Sequence, residues 1–121
     1  MDTANSVINL KAINVIRGLQ RPGKDDLLSK VVGVYFDKTP EMIDAMATAM
    51  SAGDHAAISA CAHSLKSSSA YLGADSLSAR CRRIEAAIKE GDHDELEVLV
   101  AGIQAEYDRV SEELVDMVKA A

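Results

Sequence analysis

The sequence has few aromatic residues, few prolines and no long apolar run. Among its 121 residues there are three Tyr, one Phe, no Trp and two Pro. Because β-sheets depend on aromatic as well as β-branched side chains, this shortage argues against a sheet protein. Hydrophobic residues still make up 48% of the chain, enough to build a core from Leu, Ile, Val, Ala and Met. The composition therefore favours a helical protein of the size of one domain.

Positive charge and export features are also scarce. The formal net charge of −6 argues against nucleic acid as the main ligand, because duplex binding needs a basic surface. No apolar run approaches the length of a membrane span, and the first residues lack the basic-then-apolar layout of a signal peptide. We expect a cytoplasmic protein without direct membrane contact, in which Cys61 and Cys81 are reduced thiols packed in the core.

Turn-forming residues divide the chain into helical segments. Arg21-Pro22-Gly23 separates two segments with apolar residues at helical spacing. Thr39-Pro40-Glu41 has the form of a helix start, and Gly53 ends the helix that it opens. The predicted helices span about residues 10–19, 25–38, 40–52, 54–73, 74–91 and 92–118.

The predicted fold is all-α. Asp92 and Glu95 resemble a capping box at the start of the last helix. Short connections make consecutive helices antiparallel neighbours, so we expect an antiparallel up-down four-helix bundle over about residues 40–120. One or two N-terminal helices, over about residues 7–38, would cap it. Without repeats or linkers, residues 1–121 are expected to form a single domain.

His63 is predicted to face solvent. The apolar stripe of its helix consists of Ile58, Cys61, Leu65 and Leu72, and His63 lies about 200° of rotation away from it. The neighbours of His63 on the exposed face are Ser59, Lys66, Ser67 and Ala70. The ring therefore stands beside one ammonium group on a surface of small side chains.

Three interpretations of His63 compete. A solvated surface histidine is the commonest case for a histidine taken at random. Residues 67–70 are small, and serines form helices less well than the Glu, Lys or Ala that a surface selected only for stability would carry. Small side chains here instead favour a surface that another protein approaches closely. A metal site lacks ligands: His55, His63 and His93 form no i, i+4 pair, and a glycine interrupts the Glu-x-x-His from Glu90 to His93. We predict no metal and no cofactor.

A dense motif lies in the middle of the chain. It runs Ala62-His63-Ser64-Leu65-Lys66-Ser67-Ser68-Ser69-Ala70-Tyr71-Leu72-Gly73-Ala74 and continues with Leu77, Cys81, Ile84, Glu85 and Gly91-Asp92. Over about residues 60–93 this pattern resembles the histidine phosphotransfer (HPt) domains, which shuttle a phosphoryl group between the receiver domains of phosphorelays. The helix count extends the resemblance over nearly the whole chain. Many members have Gly directly after the lysine, where this chain has Ser67.

The resemblance implies that His63 is the phosphorylated residue. An exposed imidazole is largely neutral near neutral pH and can act as a nucleophile. Lys66, one turn along the helix, can supply positive charge to the phosphorylated state, although a solvated lysine is the commoner case. At the position of Glu85, family members often carry a Gln or Glu that holds the other ring nitrogen. A salt bridge of Glu85 with Arg82 or Lys89 is the alternative.

The resemblance also implies receiver domains as partners, in response regulators or in a hybrid sensor kinase. The partner-facing residues are expected to be Ser59, Ser67, Ala70, Arg82 and Lys89. Five basic residues and two acids lie between residues 63 and 89, which complements the acidic pocket of a receiver.

Two further questions stay open at this stage. Ile13, Ile16 and Val34 would either add an apolar docking patch or cap the end of the bundle. No glycine-rich phosphate loop and no nucleophile-base-acid set is present, so we expect a monomeric phosphocarrier without an ATP site rather than an enzyme. The alternative is a non-catalytic helical interaction module with the same fold.

Overall fold

The computed structural model describes residues 7–119, which form six α-helices and no strand. The helices are α1 Leu10–Gly18, α2 Leu27–Ala52, α3 His55–Tyr71, α4 Asp75–Glu90, α5 His93–Ala101 and α6 Ile103–Lys119. The predicted all-α class is confirmed. No helix within this part of the chain is long and apolar enough to cross a bilayer.

The helix start predicted at Pro40 is wrong, because α2 runs unbroken from Leu27 to Ala52. Buried residues continue at spacings of three and four through the proline, at Val32, Tyr35, Thr39, Ile43 and Met46. A proline inside a helix removes one hydrogen bond, but burying a continuous stripe that is apolar except for Thr39 outweighs that loss. The first bundle helix therefore begins near residue 27 rather than 40, and α1 is the one separate helix that precedes it among residues 7–119.

Four rods pack side by side: α2, α3, α4, and the pair α5 and α6. Consecutive rods contact each other, most extensively α3 with α4, and α6 returns to α2. The turns before α3 and α5 share one design, in which Gly53 and Gly91 adopt positive φ and Asp54 and Asp92 cap the following helix. These short turns make neighbouring rods antiparallel.

The helix predicted over residues 92–118 is interrupted at Gly102. Arg80 of α4 reaches this point, where its Nη1 donates to the Leu99 carbonyl at 3.1 Å and its Nε to Glu106 at 2.7 Å. A Cβ atom at position 102 would lie 2.7 Å from Nη1. Gly102 thus admits a guanidinium group from another helix, which no local pattern in α5 or α6 indicated.

The N-terminal segment packs against the end of α3. The Asn9 amide donates to the Gly73 carbonyl at 2.7 Å, and Gly73 has a φ of 78°. Ile13 and Ile16 of α1 are fully buried, so of the two roles considered for them the apolar docking patch does not apply. Their alternative role, as part of the packing at the end of the bundle, is the one that the structure has.

The two cysteines differ in burial. Cys81 is fully buried, as predicted, and burial raises the pKa of its thiol to about 12. Cys61 is only half-buried. The buried face of α3 includes Ala62 and Ser69, so it is rotated slightly away from the stripe through Cys61 that was predicted. Both thiols are free.

Candidate functional site

His63 projects from the middle of α3 into solvent, with 68% of its side chain exposed. Asp54 starts this helix by accepting a hydrogen bond from the Ala57 amide at 3.1 Å. On the opposite side, Leu65 and Ile58 are fully buried. The core stripe therefore sets the rotation of α3, and that rotation turns the imidazole outward.

One carboxylate from α4 reaches both polar residues that the motif singled out on α3. Glu85 Oε2 lies 3.3 Å from His63 Nδ1, and Glu85 Oε1 lies 2.6 Å from Lys66 Nζ. His63 and Lys66 stand one turn apart, so one carboxylate can contact the ring through one oxygen and form an ion pair with the ammonium through the other. The structure thus brings together the three residues predicted to carry the chemistry.

The environment of Glu85 favours its charged form. The Lys66 ammonium holds the pKa of the Glu85 carboxyl below its usual value, and the contact with His63 acts in the same direction against the effect of burial. Only 24% of the Glu85 side chain is exposed, and its Oε1 atom is buried. A charged acceptor is therefore present beside the imidazole at neutral pH.

The alternative partners of Glu85 lie elsewhere. Arg82 and Lys89 are exposed, and neither forms an ion pair within residues 7–119. On the same helix, Arg83 does form ion pairs, with Glu90 and Glu95. Arg82 and Lys89 thus leave their charges available on the surface of α4.

The small residues around His63 vary in exposure. Ser67 and Ala70 are exposed, whereas Ser59 is half-buried. The Ser67 hydroxyl lies 3.5 Å from the His63 carbonyl oxygen, so it turns toward its own helix. None of these side chains extends far above the helix surface beside the imidazole.

An apolar groove between α2 and α3 was not predicted as such. It has a volume of about 520 Å³ and is lined by residues of both helices. Val34 and Tyr71 stand at its surface with 59% and 49% exposure. The residues of α3 that line it are Ser64, Ser68 and Tyr71. Their spacing of four and three residues places them on one face of the helix, next to the face of His63, and this spacing is the feature of the sequence that could have predicted the groove.

The other two histidines meet at one end of the bundle. The rings of His55 and His93 have centroids 6.2 Å apart, because both follow the shared glycine-aspartate turns. Within the described part of the chain, no group of three or more His, Cys, Asp or Glu residues could hold a metal ion.

The fold and the site define a class of protein: a helical bundle that exposes one histidine beside a carboxylate and an ammonium group. The family model of the Hpt domain matches residues 30–113, a span that begins in α2, ends in α6 and includes His63, Lys66 and Glu85. The chain belongs to this family of histidine phosphotransfer domains. No curated protein and no solved structure matches it.

Membership supports a histidine phosphotransfer role in phosphorelays. Hpt domains are phosphocarriers rather than kinases, and they work with receiver domains.

Proposed function

We propose that His63 accepts a phosphoryl group from the phospho-aspartate of one receiver domain and passes it to the aspartate of another. The observation that carries the proposal is the pairing of an exposed ring with a carboxylate on Nδ1 only 3.3 Å away. A carboxylate accepts hydrogen bonds, so it favours the tautomer with the proton on Nδ1 and the lone pair on Nε2.

The transfer step then follows from the tautomer. The Nε2 lone pair attacks phosphorus in line, the N–P bond forms, and the P–O bond of the acyl phosphate breaks. The leaving electron pair returns to the receiver's aspartate as a carboxylate. The Nδ1 proton stays on the ring, which becomes positively charged, and the Glu85 carboxylate offsets that charge. Donation to a second receiver is the same step in reverse.

Lys66 is proposed to stabilise the charge of the transferred group. Its ammonium group stands one turn from His63 and already lies against Glu85. Phosphoryl transfer requires mainly positioning and neutralisation of charge on the equatorial oxygens, which an adjacent ammonium can supply.

The receiver is proposed to approach over the exposed face of α3. Ser59, Ser67 and Ala70 allow close approach, while the unpaired charges of Arg82 and Lys89 complement an acidic receiver pocket. The apolar groove beside this face adds contact area. We further propose a monomeric, cytoplasmic phosphocarrier that has no ATP site of its own.

Phosphorylation by phosphoramidate, followed by intact mass, tests the proposal without any partner. Wild type is expected to gain one phosphoryl group that is labile to acid and stable to base. His63→Gln should gain none, whereas the matched control His55→Gln, altered at another exposed histidine of α3, should behave as wild type. The proposal is contradicted if folded wild-type protein gains no phosphoryl group. It is also contradicted if His63→Gln gains as much as wild type does.

The alternative, a non-catalytic interaction module, makes a different prediction. A binding module keeps its partner and its activity in His63→Gln, whereas a phosphocarrier loses all transfer while its fold stays intact. Comparing receiver binding with receiver dephosphorylation in this one variant separates the two.

A further inference from the structure

Ser78 is a buried serine of α4 whose hydroxyl bonds to another helix. It is 5% exposed and donates to the backbone carbonyl of Lys66 at 2.9 Å. Ser67 and Ser68 of α3 instead hydrogen-bond to carbonyls of their own helix, which is the common behaviour of serine within helices. Ser78 thus makes a directional contact across the interface between α3 and α4, in addition to the contacts of Glu85 with Lys66 and His63.

This contact and the ion pair of Glu85 hold the same residue of α3. Ser78 binds Lys66 at its carbonyl, and Glu85 binds it at Nζ. Ser78 and Glu85 are seven residues apart, two turns and about 10 Å along α4 on one face. Lys66 is therefore attached to α4 at two separate points, one on its backbone and one at the tip of its side chain.

The two attachments fix how far α3 can slide along α4. Nearby packing comes from Leu77, Cys81 and Ile84, and apolar contacts have no directional preference. A hydrogen bond at 2.9 Å tolerates little displacement, since its energy falls steeply with poor geometry. The Glu85 contact with His63 is longer, at 3.3 Å, so a small slide is enough to lose it.

We propose that Ser78 is a positioning residue, which sets the axial register of α3 on α4 so that Glu85 reaches His63 Nδ1. The assignment rests on the proposed phosphotransfer function of His63 and adds a residue that never touches the phosphoryl group. It acts through the Lys66 backbone, and its effect on the reaction is expressed in the tautomer of the imidazole.

The test compares Ser78→Ala with Ser69→Ala. Ser69 is also buried, and its hydroxyl forms a hydrogen bond with Tyr35 at 2.8 Å on the α2 side of α3. Each variant loses one buried hydroxyl contact of similar length, so their urea midpoints should fall by similar amounts. Only Ser78→Ala loses a contact between α3 and α4.

Two readouts separate positioning from stability. The ¹⁵N shifts of the His63 ring, recorded on unphosphorylated protein at pH 8, should move away from the Nδ1–H tautomer in Ser78→Ala and stay unchanged in Ser69→Ala. The rate of phosphorylation by phosphoramidate should fall about tenfold in Ser78→Ala, within the roughly 10²-fold that a misplacement of about 1 Å can cost. Ser69→Ala should keep the wild-type rate.

Ser78→Cys provides a milder change, since a thiol of similar volume is a weaker donor. The ¹⁵N shifts of the His63 ring and the phosphorylation rate of this variant should fall between those of wild type and Ser78→Ala. If the alanine variant does not fold, Ser78→Cys is the variant compared with Ser69→Ala. Wild-type shifts and rate in a folded Ser78 variant, or equal changes in Ser69→Ala, overturn the inference.

The two proposals fail in different ways. Absence of phosphorylation in wild type defeats the function proposed for His63, while the tautomer comparison still tests Ser78. Normal wild-type phosphorylation with an indifferent Ser78→Ala defeats only the positioning role.

Discussion

The two sides of α3 differ in what they offer to the exposed His63. Toward α4, Lys66 and Glu85 form a connected set of charges that reaches Nδ1. Toward α2, the helix borders an apolar groove with Val34 and Tyr71 at its surface. The imidazole lies on the ridge between a polar side and an apolar one.

This division separates two tasks that a phosphocarrier must perform. Orienting a ring needs fixed donors and acceptors, which the extensive contact of α3 with α4 supplies. Transient binding of a partner needs an accessible surface that adds contact area and takes no part in the reaction. Changes on the α4 side should therefore alter reactivity toward any donor, and changes on the α2 side should alter only transfer with a protein partner.

The largest expected effect comes from Glu85→Ala on the polar side. Loss of the acceptor on Nδ1 should slow phosphorylation by phosphoramidate about 10²-fold, the lower range for a positioned proton-transfer or proton-holding group. Glu85→Gln keeps a carbonyl acceptor and should stay within a few-fold of wild type. Glu90→Ala, which removes an exposed acid at the end of the same helix, is the control, and a loss equal to that of Glu85→Ala would contradict a specific role.

A smaller effect is expected from Val34→Asn on the apolar side. Removing one apolar contact of about 1 kcal/mol should slow phosphoryl transfer from a receiver about fivefold. Phosphorylation by phosphoramidate should not change. Val15→Asn alters a comparably exposed valine of α1 that does not line the groove, and it should leave both rates at the wild-type level. A slower phosphoramidate reaction in Val34→Asn would break the division between the two sides.

Lys66→Ala should affect stability as well as chemistry. The variant leaves the buried Oε1 of Glu85 without its ammonium partner, so the free energy of unfolding should fall by about 1 kcal/mol. Phosphorylation should slow several-fold, because less positive charge faces the incoming group. Lys30→Ala, which breaks an exposed pair with Asp25, should change neither quantity in urea unfolding and mass measurements.

The smallest effect is a dependence of stability on pH that comes from Glu85. Because the fold lowers the pKa of this carboxyl, its contribution is complete above the ordinary glutamate value of about 4.3 and is lost as the pH falls through the lower folded value. The difference in unfolding free energy between wild type and Glu85→Gln should therefore shrink between pH 5 and pH 3. Urea unfolding at several pH values measures it, and a constant difference would exclude the linkage.

Periodicity was sufficient to predict the bundle and the exposure of His63, because both depend on which face of a helix is apolar. Pro40 was misinterpreted since its local signal is the same at a helix start and inside a packed helix, where burial of residues on both sides decides. The break at Gly102 depends on Arg80, a side chain from another helix. Such long-range contacts leave no pattern in the segment that they alter.

The partner of Glu85 illustrates the same limit within the site. From the sequence, its carboxylate could reach a ring on α3 or basic residues on its own helix. The choice depends on the axial register of two helices, to within a few ångströms, and spacing along either helix says nothing about that quantity. Resemblance to a family supplied the role, and the structure supplied the contacts with His63 and Lys66.

Gly73 lies where the N-terminal segment approaches the end of α3 most closely. A Cβ atom there would lie 2.5 Å from the carbonyl oxygen of Asn9, a distance that backbone atoms cannot accept. Glycine at this position therefore allows the segment before α1 to pass directly against the end of α3. A larger residue at position 73 would therefore require both another backbone conformation at this turn and another path for the N-terminal segment.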